Sequence, residues 1–251
     1  MIALLAALEG ETSGLRRWMA LAPQGVAGLC GHAYTGQYQR QSVLLAWTGM
    51  GRQRAEASAT AVLARCQVTA VLSIGFSGAL AGQLDVGDLV LASELIGLAG
   101  PGGNEIEPAL YRPDQGLLHA VTEAFGAMPL RVVLGPTLTT PGIITTPAGK
   151  QDLGRRTGAI AVDMESYWIA QVASDRGLPF LALRAISDAQ KDCLPAFHQI
   201  LDVDGDPSAR RLGVHLIRHP GSLVALLRLA RNAGRARRAL TTGVACAVAA
   251  L

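Results

Sequence analysis

The chain has 251 residues, of which half are apolar and 16% are charged, and its mean hydropathy is +0.30. This length suffices for one large α/β domain, and no run approaches the ~20 apolar residues of a membrane-spanning helix. The net charge of +3 is unevenly placed, because the chain after Asp206 has eight arginines and no acidic residue.

The amino terminus and the cysteines indicate a cytoplasmic protein. The first apolar run has no basic residues before it and is followed by Glu9 and Glu11, so we expect a strand rather than a signal peptide. The cysteines lie far apart without a C-x-x-C pair, which is typical of reduced thiols and indicates neither a metal site nor a disulfide. We also expect no cofactor. They are Cys30, Cys66, Cys193 and Cys246.

Apolar runs of β type alternate with segments of helical spacing. The runs cover residues 2–8, 43–47, 71–75, 88–92, 130–134, 159–164 and 180–186. Helical spacing covers residues 53–66, 115–127 and 166–176. This alternation predicts a single α/β domain with a central mixed, mostly parallel sheet flanked by helices.

Two stretches rich in glycine, proline or threonine predict loops. Residues 97–104 should form a surface loop, and residues 136–147 a loop or lid. Because the composition does not change before about residue 206, we predict a catalytic domain over residues 1–206 and a basic appendage over residues 207–251.

Three carboxylates follow three of the predicted strands. They are Glu11, Glu165 and Asp188. The carboxyl ends of parallel strands border the crevice in which α/β sheets bind ligands. Each residue alone also fits a structural role, since Asp is a common helix N-cap and Glu stabilises a helix N-terminus. Together they favour a ligand site.

Cleavage of an N-glycosidic bond uses three carboxylates in three environments. It needs an acid for the departing base, a base for the nucleophile and an acceptor for the ribose hydroxyls. The transition state has oxocarbenium character, so nearby carboxylates also stabilise its positive charge.

Six motifs resemble those of the superfamily of purine nucleoside phosphorylases and methylthioadenosine/S-adenosylhomocysteine nucleosidases. In chain order they are LEGE at 8–11, TGMG at 48–51, SIGFSGAL at 73–80, LDVGDLV at 84–90, VDME at 162–165 and RAISD at 184–188. The resemblance covers roughly residues 1–190. It implies a purine nucleoside substrate and one α/β domain, usually in a homo-oligomer.

The resemblance also implies roles for single residues. Asp188 is similar to the acid that protonates N7 of the leaving purine, and Glu11 to the residue that orients the attacking water. Glu165 is similar to the acceptor for the ribose hydroxyls, with Met164 packed under the sugar. The other expected substrate-binding residues are Gly75, Phe76, Ser77, Ser187 and Ile143.

Two positions depart from the family pattern. Phe76 stands where the family has a small polar residue, so a hydroxyl contact is lost. Residues 140–144 (TPGII) stand where the nucleosidases have an aromatic residue that stacks on adenine, so base recognition is not carried over. Neither change removes the acid or the ribose acceptor.

The attacking nucleophile is water or phosphate. Arg52 begins a predicted helix after Gly51, where an anion could bind, although an exposed helix cation is the simpler interpretation. The glycine-rich, arginine-containing phosphate loop of the phosphorylases does not occur near the N-terminus, and Glu11 would repel phosphate. Hydrolysis is therefore the expected reaction.

The C-terminal segment is basic and amphipathic. A helical wheel over residues 221–240 places four arginines opposite apolar residues, and residues 244–251 are apolar. Such a helix either lies in a membrane interface, held by anionic headgroups, or covers the sheet with its arginines in water. No aromatic residues interleave the arginines, so we expect no nucleic-acid partner.

Residues 201–205, 218–221 and 226–231 are similar to the C-terminal segment of the hopanoid-associated phosphorylase branch. That branch is thought to release adenine from adenosylhopane, a lipid-linked nucleoside. The resemblance therefore implies adenosylhopane as substrate and a peripheral location on the inner face of the membrane. The alternatives are a methylthioadenosine/S-adenosylhomocysteine nucleosidase and a phosphate-dependent purine nucleoside phosphorylase.

A serine hydrolase is a rival interpretation. Residues 75–79 nearly match the nucleophile elbow G-x-S-x-G, with Ser77 as nucleophile and Asp188 and His198 or His215 as partners. The last glycine of that motif is missing, and the interpretation leaves the other carboxylates without a role.

Two further rivals have less support. Gly49 and Gly51 follow a strand as in dinucleotide-binding enzymes, but Arg54 occupies the third glycine position. A nucleoside-binding, membrane-associated protein without catalysis is the non-enzyme alternative.

Overall fold

The computed structural model describes residues 1–100, 105–194 and 223–251, and in them ten strands form one mixed sheet. The strands are β1 (Ile2–Ala6), β2 (Ala22–Gln24), β3 (Ala33–Tyr38), β4 (Gln41–Trp47), β5 (Ala70–Ala79), β6 (Leu89–Ala99), β7 (Glu105–Tyr111), β8 (Val132–Thr139), β9 (Ala161–Asp163) and β10 (Phe180–Asp188). The helices are α1 (Glu9–Trp18), α2 (Arg52–Arg65), α3 (Gln115–Phe125), α4 (Pro147–Thr157), α5 (Ser166–Ser174) and α6 (Leu223–Ala250).

The sheet has the order β10-β6-β8-β9-β5-β1-β4-β3-β2, with β7 paired to β6. Because β10 also pairs with β5, five of the strands close into a ring. Strands β4, β1, β5 and β10 run parallel, so the carboxyl ends of β1, β5 and β10 meet at one edge. Among the described strands five pairings are parallel and five antiparallel. The sheet is mixed as predicted, and less parallel than expected.

Helices cover both faces of the sheet, which explains the high apolar content. Helices α1, α3 and α6 pack on one face, around residues such as Leu4, Leu72 and Leu183. Helices α2 and α5 pack on the other face, where Trp168 is the largest buried side chain. Buried strands of this kind have continuous apolar sequences rather than alternating ones.

Helix α6 covers the sheet. Ala236, Leu240 and Val244 are buried against β10, α1 and α3. The predicted basic side of this helix is exposed. Its residues are Arg228, Arg231, Arg235 and Arg238. No helix in the described parts of the chain combines the length and hydropathy that crossing a membrane requires.

The two predicted loops are shorter than expected. Strand β6 continues through residues 97–99, because Gly97 lies against a ring and not in a turn: a Cβ there would be 2.9 Å from Tyr167. Strand β8 includes residues 136–139, and α4 begins at Pro147, which confines the second loop to residues 140–146.

Helix α4 was not predicted, although it has clear end signals. Thr146 caps it by accepting the N–H of Gly149, Pro147 occupies its first position, and Gly158 ends it in the left-handed conformation with φ 71°. Helix α1 and strands β2, β3 and β7 were also not predicted. The division at residue 206, residues 101–104, 201–205 and 218–221, His198 and His215 lie outside the described residues.

Candidate active site

Glu11 lies in the first turn of α1, directly after β1. Its carboxylate accepts the backbone N–H of Leu8 at 3.3 Å and that of Phe76 at 3.1 Å. Burial raises the pKa of Glu11, and Asp163 adds to the increase, whereas Arg184 and the two N–H groups oppose it. A fixed carboxylate with a raised pKa is suited to accept a proton.

Gly75 allows two charged side chains to approach the end of β5. Its φ is +155°, and a Cβ atom there would lie 2.4 Å from Nη1 of Arg184 and 3.1 Å from Oε2 of Glu11. Only glycine fits this space and this backbone conformation. Glycine at position 75 is thus required by the close approach of Glu11 and Arg184 to its backbone, and its role in substrate binding stays a prediction.

Arg184 and Asp163 form a buried ion pair behind these carboxylates, with Nε and Oδ2 2.8 Å apart. The guanidinium also donates to the hydroxyls of Ser73 and Ser166, at 2.8 and 2.7 Å. The other oxygen of Asp163 accepts the backbone N–H groups of Glu165 and Ser166, each at 3.2 Å. Asp163 therefore fixes the start of α5, and with it the position of Glu165.

Glu165 is buried at the junction of β9 and α5. Its Oε1 accepts the N–H of Gly51 at 2.9 Å, which connects it to the turn before α2. Burial and the neighbouring Asp163 raise its pKa to about 8, and Glu11 adds to this, against the opposing effects of Arg184 and the Gly51 N–H. At neutral pH Glu165 is therefore mostly a neutral acid that can both donate and accept a hydrogen bond.

Asp188 is the last residue of β10 and is also buried. Its Oδ1 accepts the hydroxyl of Ser187 at 2.8 Å, and its Oδ2 accepts the ammonium of Lys150. A Cβ at Gly78 would lie 2.9 Å from Oδ2, so this glycine of β5 is also required by a close approach. Asp188 is held in place from both sides.

The remaining predicted substrate residues differ in their surroundings. Phe76 packs its ring on the core, and its backbone N–H, not a side-chain hydroxyl, contacts Glu11. The hydroxyl of Ser77 is buried and has no hydrogen-bond partner among the described residues. Met164 is half-buried between Asp163 and Glu165.

Ile143 is 38% exposed and lines a cleft of about 490 Å³ together with Thr140, Pro141 and Ile144. The three carboxylates are not part of this lining. The cleft adjoins the site through Thr140, whose backbone N–H donates to the carbonyl of Asp163 at 2.9 Å and whose hydroxyl donates to the carbonyl of Gly142 at 2.9 Å. No aromatic side chain lines it.

Arg52 contacts side chains of the protein. Its guanidinium lies 2.9 Å from Glu56, 3.5 Å from Glu107 and 4.0 Å from the centre of the Trp168 ring. These contacts give no support to an anion site at Arg52, which stays a prediction.

The structure brings Glu11 and Glu165 together around Arg184 and Asp163, and it places Asp188 four residues beyond Arg184 on the same strand. Sequence reasoning missed four supporting residues. They are Lys150, Asp163, Arg184 and Ser166. Three of these, Asp163, Ser166 and Arg184, lie inside or beside the VDME and RAISD motifs. The sequence feature that could have identified Asp163 and Arg184 is a charged residue within an apolar strand. In the described residues no group of three His, Cys, Asp or Glu side chains could hold a metal ion.

The chain has relatives among known proteins. The sequence profile of the phosphorylase superfamily matches residues 1–207. Over 212 residues the chain is 31% identical to 5′-methylthioadenosine/S-adenosylhomocysteine nucleosidase of Anoxybacillus flavithermus, covering 80% of this chain and 90% of that protein.

Two solved structures have a similar fold. The first is 5′-methylthioadenosine/S-adenosylhomocysteine nucleosidase from Neisseria meningitidis in complex with methylthio-immucillin-A, with a TM-score of 0.79, 20% identity and coverage of 100% of this chain and 99% of that one. The second is futalosine hydrolase of Helicobacter pylori, with a TM-score of 0.78, 18% identity and coverage of 100% and 97%.

Proposed function

The chain belongs to the phosphorylase superfamily, and on this basis we propose that it hydrolyses the N-glycosidic bond of a 5′-substituted adenine nucleoside. It is an enzyme of the nucleosidase and nucleoside phosphorylase type. Its relative from Anoxybacillus flavithermus is a nucleosidase for 5′-methylthioadenosine and S-adenosylhomocysteine, which are therefore the first candidate substrates. The observation that carries the proposal is the carboxylate of Glu11, which two backbone N–H groups hold beside Gly75.

In this mechanism Glu11 activates the attacking water. The water oxygen bonds to C1′ of the ribose while its proton passes to Glu11, and the bond between C1′ and the base breaks. The raised pKa of Glu11 supports this role, since a base accepts a proton more readily as its pKa approaches the working pH. The carboxylates around C1′ also stabilise the oxocarbenium character of the transition state.

Glu165 binds the ribose hydroxyls. With a pKa of about 8 it holds a proton at neutral pH, so it can donate to one hydroxyl and accept from the other. Met164 is half-buried next to it, in a position to contact the sugar.

Asp188 protonates N7 of the leaving base. Because it is hydrogen-bonded to the Lys150 ammonium, a proton can pass from Nζ through the carboxylate to N7. The proton that Glu11 took from water balances this loss, and after the products leave Glu11 releases its proton while the amine regains one through Asp188. The base leaves as a neutral purine, which lowers the barrier for bond cleavage.

Water is favoured over phosphate by the charges around the site. Arg184 is paired with Asp163, and it is the cation that acts on both Glu11 and Glu165. Arg52, the other candidate for an anion, contacts Glu56 and Glu107. A phosphate dianion would therefore lie close to several carboxylates, and this described part of the site has no unpaired cation to bind it.

A lipid-linked nucleoside such as adenosylhopane is the second candidate substrate. The exposed arginines of α6 and the 58% exposed Leu227 support it, because a basic helix face attracts anionic headgroups. The apolar face of α6 is in the core, so contact with a membrane would depend on charge and not on insertion of this face.

The proposal includes a homo-oligomer. Strand β7 exposes Ile106 and Leu110 at the end of the sheet, with 52% and 48% of their surfaces accessible. Apolar side chains on an edge strand are suited to pair with a second copy. Light scattering on the purified protein measures the mass directly, and a monomeric mass would reject this part of the proposal.

The test is release of free base from a panel of nucleosides. The panel contains 5′-methylthioadenosine, S-adenosylhomocysteine, adenosine, inosine and adenosylhopane in detergent, each with and without phosphate. Adenine release without phosphate supports the proposal, and the preferred nucleoside separates the soluble substrates from the lipid-linked one. Release only with phosphate indicates a phosphorylase, and no release from any nucleoside rejects the proposal in favour of a binding protein.

A further inference from the structure

Arg52 is the first residue of α2, and its side chain contacts three elements of the fold. Its Nε lies 2.9 Å from Oε1 of Glu56 in the same helix, and its Nη1 lies 3.5 Å from Oε1 of Glu107 in β7. The guanidinium also lies over the ring of Trp168 in α5, 4.0 Å from the ring centre. Although 47% of this side chain is exposed, it is held from three sides.

The place of Arg52 within its own helix is electrostatically unfavourable. A cation at a helix N-terminus opposes the helix dipole, and the first turn of α2 has no acidic residue to compensate it. Arg65, in the last turn of the same helix, lies at the favourable end. The contacts of Arg52 with β7 and α5, rather than the stability of α2, therefore explain its position.

The turn before Arg52 is built from glycine. Gly49 and Gly51 have φ values of +79° and +83°, which glycine adopts easily and other residues rarely. The turn begins at Thr48, whose N–H donates to the carbonyl of Ala6 at 2.8 Å. At its other end the N–H of Gly51 donates to Oε1 of Glu165 at 2.9 Å. Because glycine leaves the backbone free to rotate, the direction of this last N–H depends on what holds the start of α2.

Gly51 and Arg52 both contact the first turn of α5. Glu165 is the N-cap of α5 and Trp168 lies three residues further, so Gly51 binds the beginning of this turn and Arg52 its end. Trp168 is 2% exposed, and its Nε1 has no hydrogen-bond partner among the described residues. Packing therefore holds the ring, and the guanidinium on its face adds a cation–π contact.

We infer that Arg52 is a positioning residue, which fixes the start of α2 on Trp168 and so keeps the Gly51 N–H on the carboxyl group of Glu165. This inference rests on the proposed binding of the ribose hydroxyls by Glu165. Without the guanidinium, Glu165 loses a hydrogen bond that orients it, and the ribose hydroxyls are bound less well. The proposed contact between Asp188 and the base does not depend on Arg52.

The experiment measures the binding of two probes to the whole chain by calorimetry. One probe is methylthio-immucillin-A, a nucleoside analogue without a cleavable N-glycosidic bond, and the other is free adenine. Arg52→Met should weaken the analogue at least about tenfold, because the position of Glu165 changes. It should change the affinity for adenine by less than about twofold. Arg65→Met, which removes an exposed arginine at the other end of α2, should change neither affinity.

A double-mutant cycle separates this role from direct contact with the ligand. In a Glu165→Ala background, Arg52→Met should weaken the analogue by less than about twofold further, because its effect passes through Glu165. An equal loss in both backgrounds would overturn the inference, since it would indicate that Arg52 contacts the ligand itself.

Three other results would also overturn it. They are equal weakening of the analogue and adenine in Arg52→Met, which indicates a general loss of structure, unchanged binding of the analogue in that variant, and a wild type that binds neither probe. Failure of the hydrolysis proposal gives a different result. In that case the wild type releases no base from any nucleoside, while the analogue still binds and its affinity still depends on Arg52.

Discussion

Arg184 and Asp163 form an ion pair in which each side chain is only 1% exposed, with Nε and Oδ2 2.8 Å apart. The pair acts on both Glu11 and Glu165: Arg184 lowers the pKa of both, and Asp163 raises the pKa of both. The guanidinium thus offsets part of the repulsion among the three acidic side chains, and Glu165 relieves the rest by holding a proton at neutral pH.

Replacing Arg184 should therefore cost stability as well as activity. In Arg184→Met the buried Asp163 loses its partner, and the free energy of unfolding should fall by about 3–5 kcal/mol. Urea denaturation at neutral pH measures this loss. Arg40→Met, which removes an exposed arginine, should change the value by less than ~0.5 kcal/mol. A loss below ~1 kcal/mol for Arg184→Met would contradict the ion pair.

Gly75→Ala should disrupt the site sterically. The new Cβ would lie 2.4 Å from Arg184 and 3.1 Å from Glu11, at a φ of +155° that side chains rarely adopt. We expect base release to fall at least 100-fold, because a displacement of about 1 Å at a catalytic group has effects of this size. Gly10→Ala is the control: nothing lies within 4 Å of its Cβ, and alanine should stabilise α1 by roughly 0.5–1 kcal/mol. Equal activity in the two variants would reject the steric argument.

The carboxylates could be predicted from sequence because their signal is local. A charged residue directly after an apolar run is visible in a single segment, and the parallel order of β1, β5 and β10 then brings the strand ends together. Glu11 and Asp188 lie at this edge for that reason, whereas Glu165 follows β9, which runs antiparallel to β5. Whether each performs its predicted role is for the variants to decide.

Lys150 could not be predicted, because its partner lies 38 residues further along the chain. Its helix also begins in a segment rich in threonine and proline, and this composition predicts a loop when only neighbouring residues are considered. Gly97 was wrongly assigned to a loop for a related reason. Its missing side chain leaves room for the ring of Tyr167, 70 residues away, and does not mark a turn. Long-range contacts of this kind leave no periodic pattern in the sequence.

Glu11→Gln tests the choice of nucleophile. The amide cannot accept a proton from water, so kcat for hydrolysis should fall about 10²–10⁴-fold with little change in KM. The matched control is Glu9→Gln, which changes an exposed acid two residues away and should retain full activity. If phosphate restores base release in Glu11→Gln, the enzyme is a phosphorylase and water is not its nucleophile.

The stability of the free enzyme should depend on pH through Glu165. Its pKa is about 8 in the folded protein against an ordinary value of 4.5, chiefly because of burial and then Asp163. Between these two values the unfolded chain has released the proton that the folded protein retains. The free energy of unfolding should therefore fall as pH rises through this window, by at most about 1.4 kcal/mol per pH unit.

Urea midpoints at pH 5.5, 6.5, 7.5 and 8.5 measure this dependence. Glu165→Gln should flatten the slope and be more stable than the wild type at the highest pH, while losing ribose binding. Glu11 contributes in the same direction, so some slope should remain. Glu123→Gln, which changes an exposed acid on α3, should reproduce the wild-type slope. A wild-type stability that rises with pH across this range would contradict the raised pKa of Glu165.

The basic face of α6 must be tested by substitution and not by deletion. Removing residues 221–251 would take Ala236, Leu240 and Val244 out of the core, so activity on every substrate would be lost together. Changing the exposed arginines to glutamine leaves the apolar face intact. The suitable residues are Arg231, Arg235 and Arg238, because Arg228 binds Asp192.

If α6 brings the enzyme to a lipid-linked substrate, the triple glutamine variant should no longer sediment with vesicles that contain anionic lipid, while it cleaves soluble nucleosides at the wild-type rate. Each arginine near such a surface contributes about 1 kcal/mol, so binding should weaken about 100-fold. The wild type should be released by 0.5 M salt, because screening shortens the range of the attraction, and it should not bind neutral vesicles. Binding that survives both the substitutions and the salt would exclude an electrostatic contact through α6.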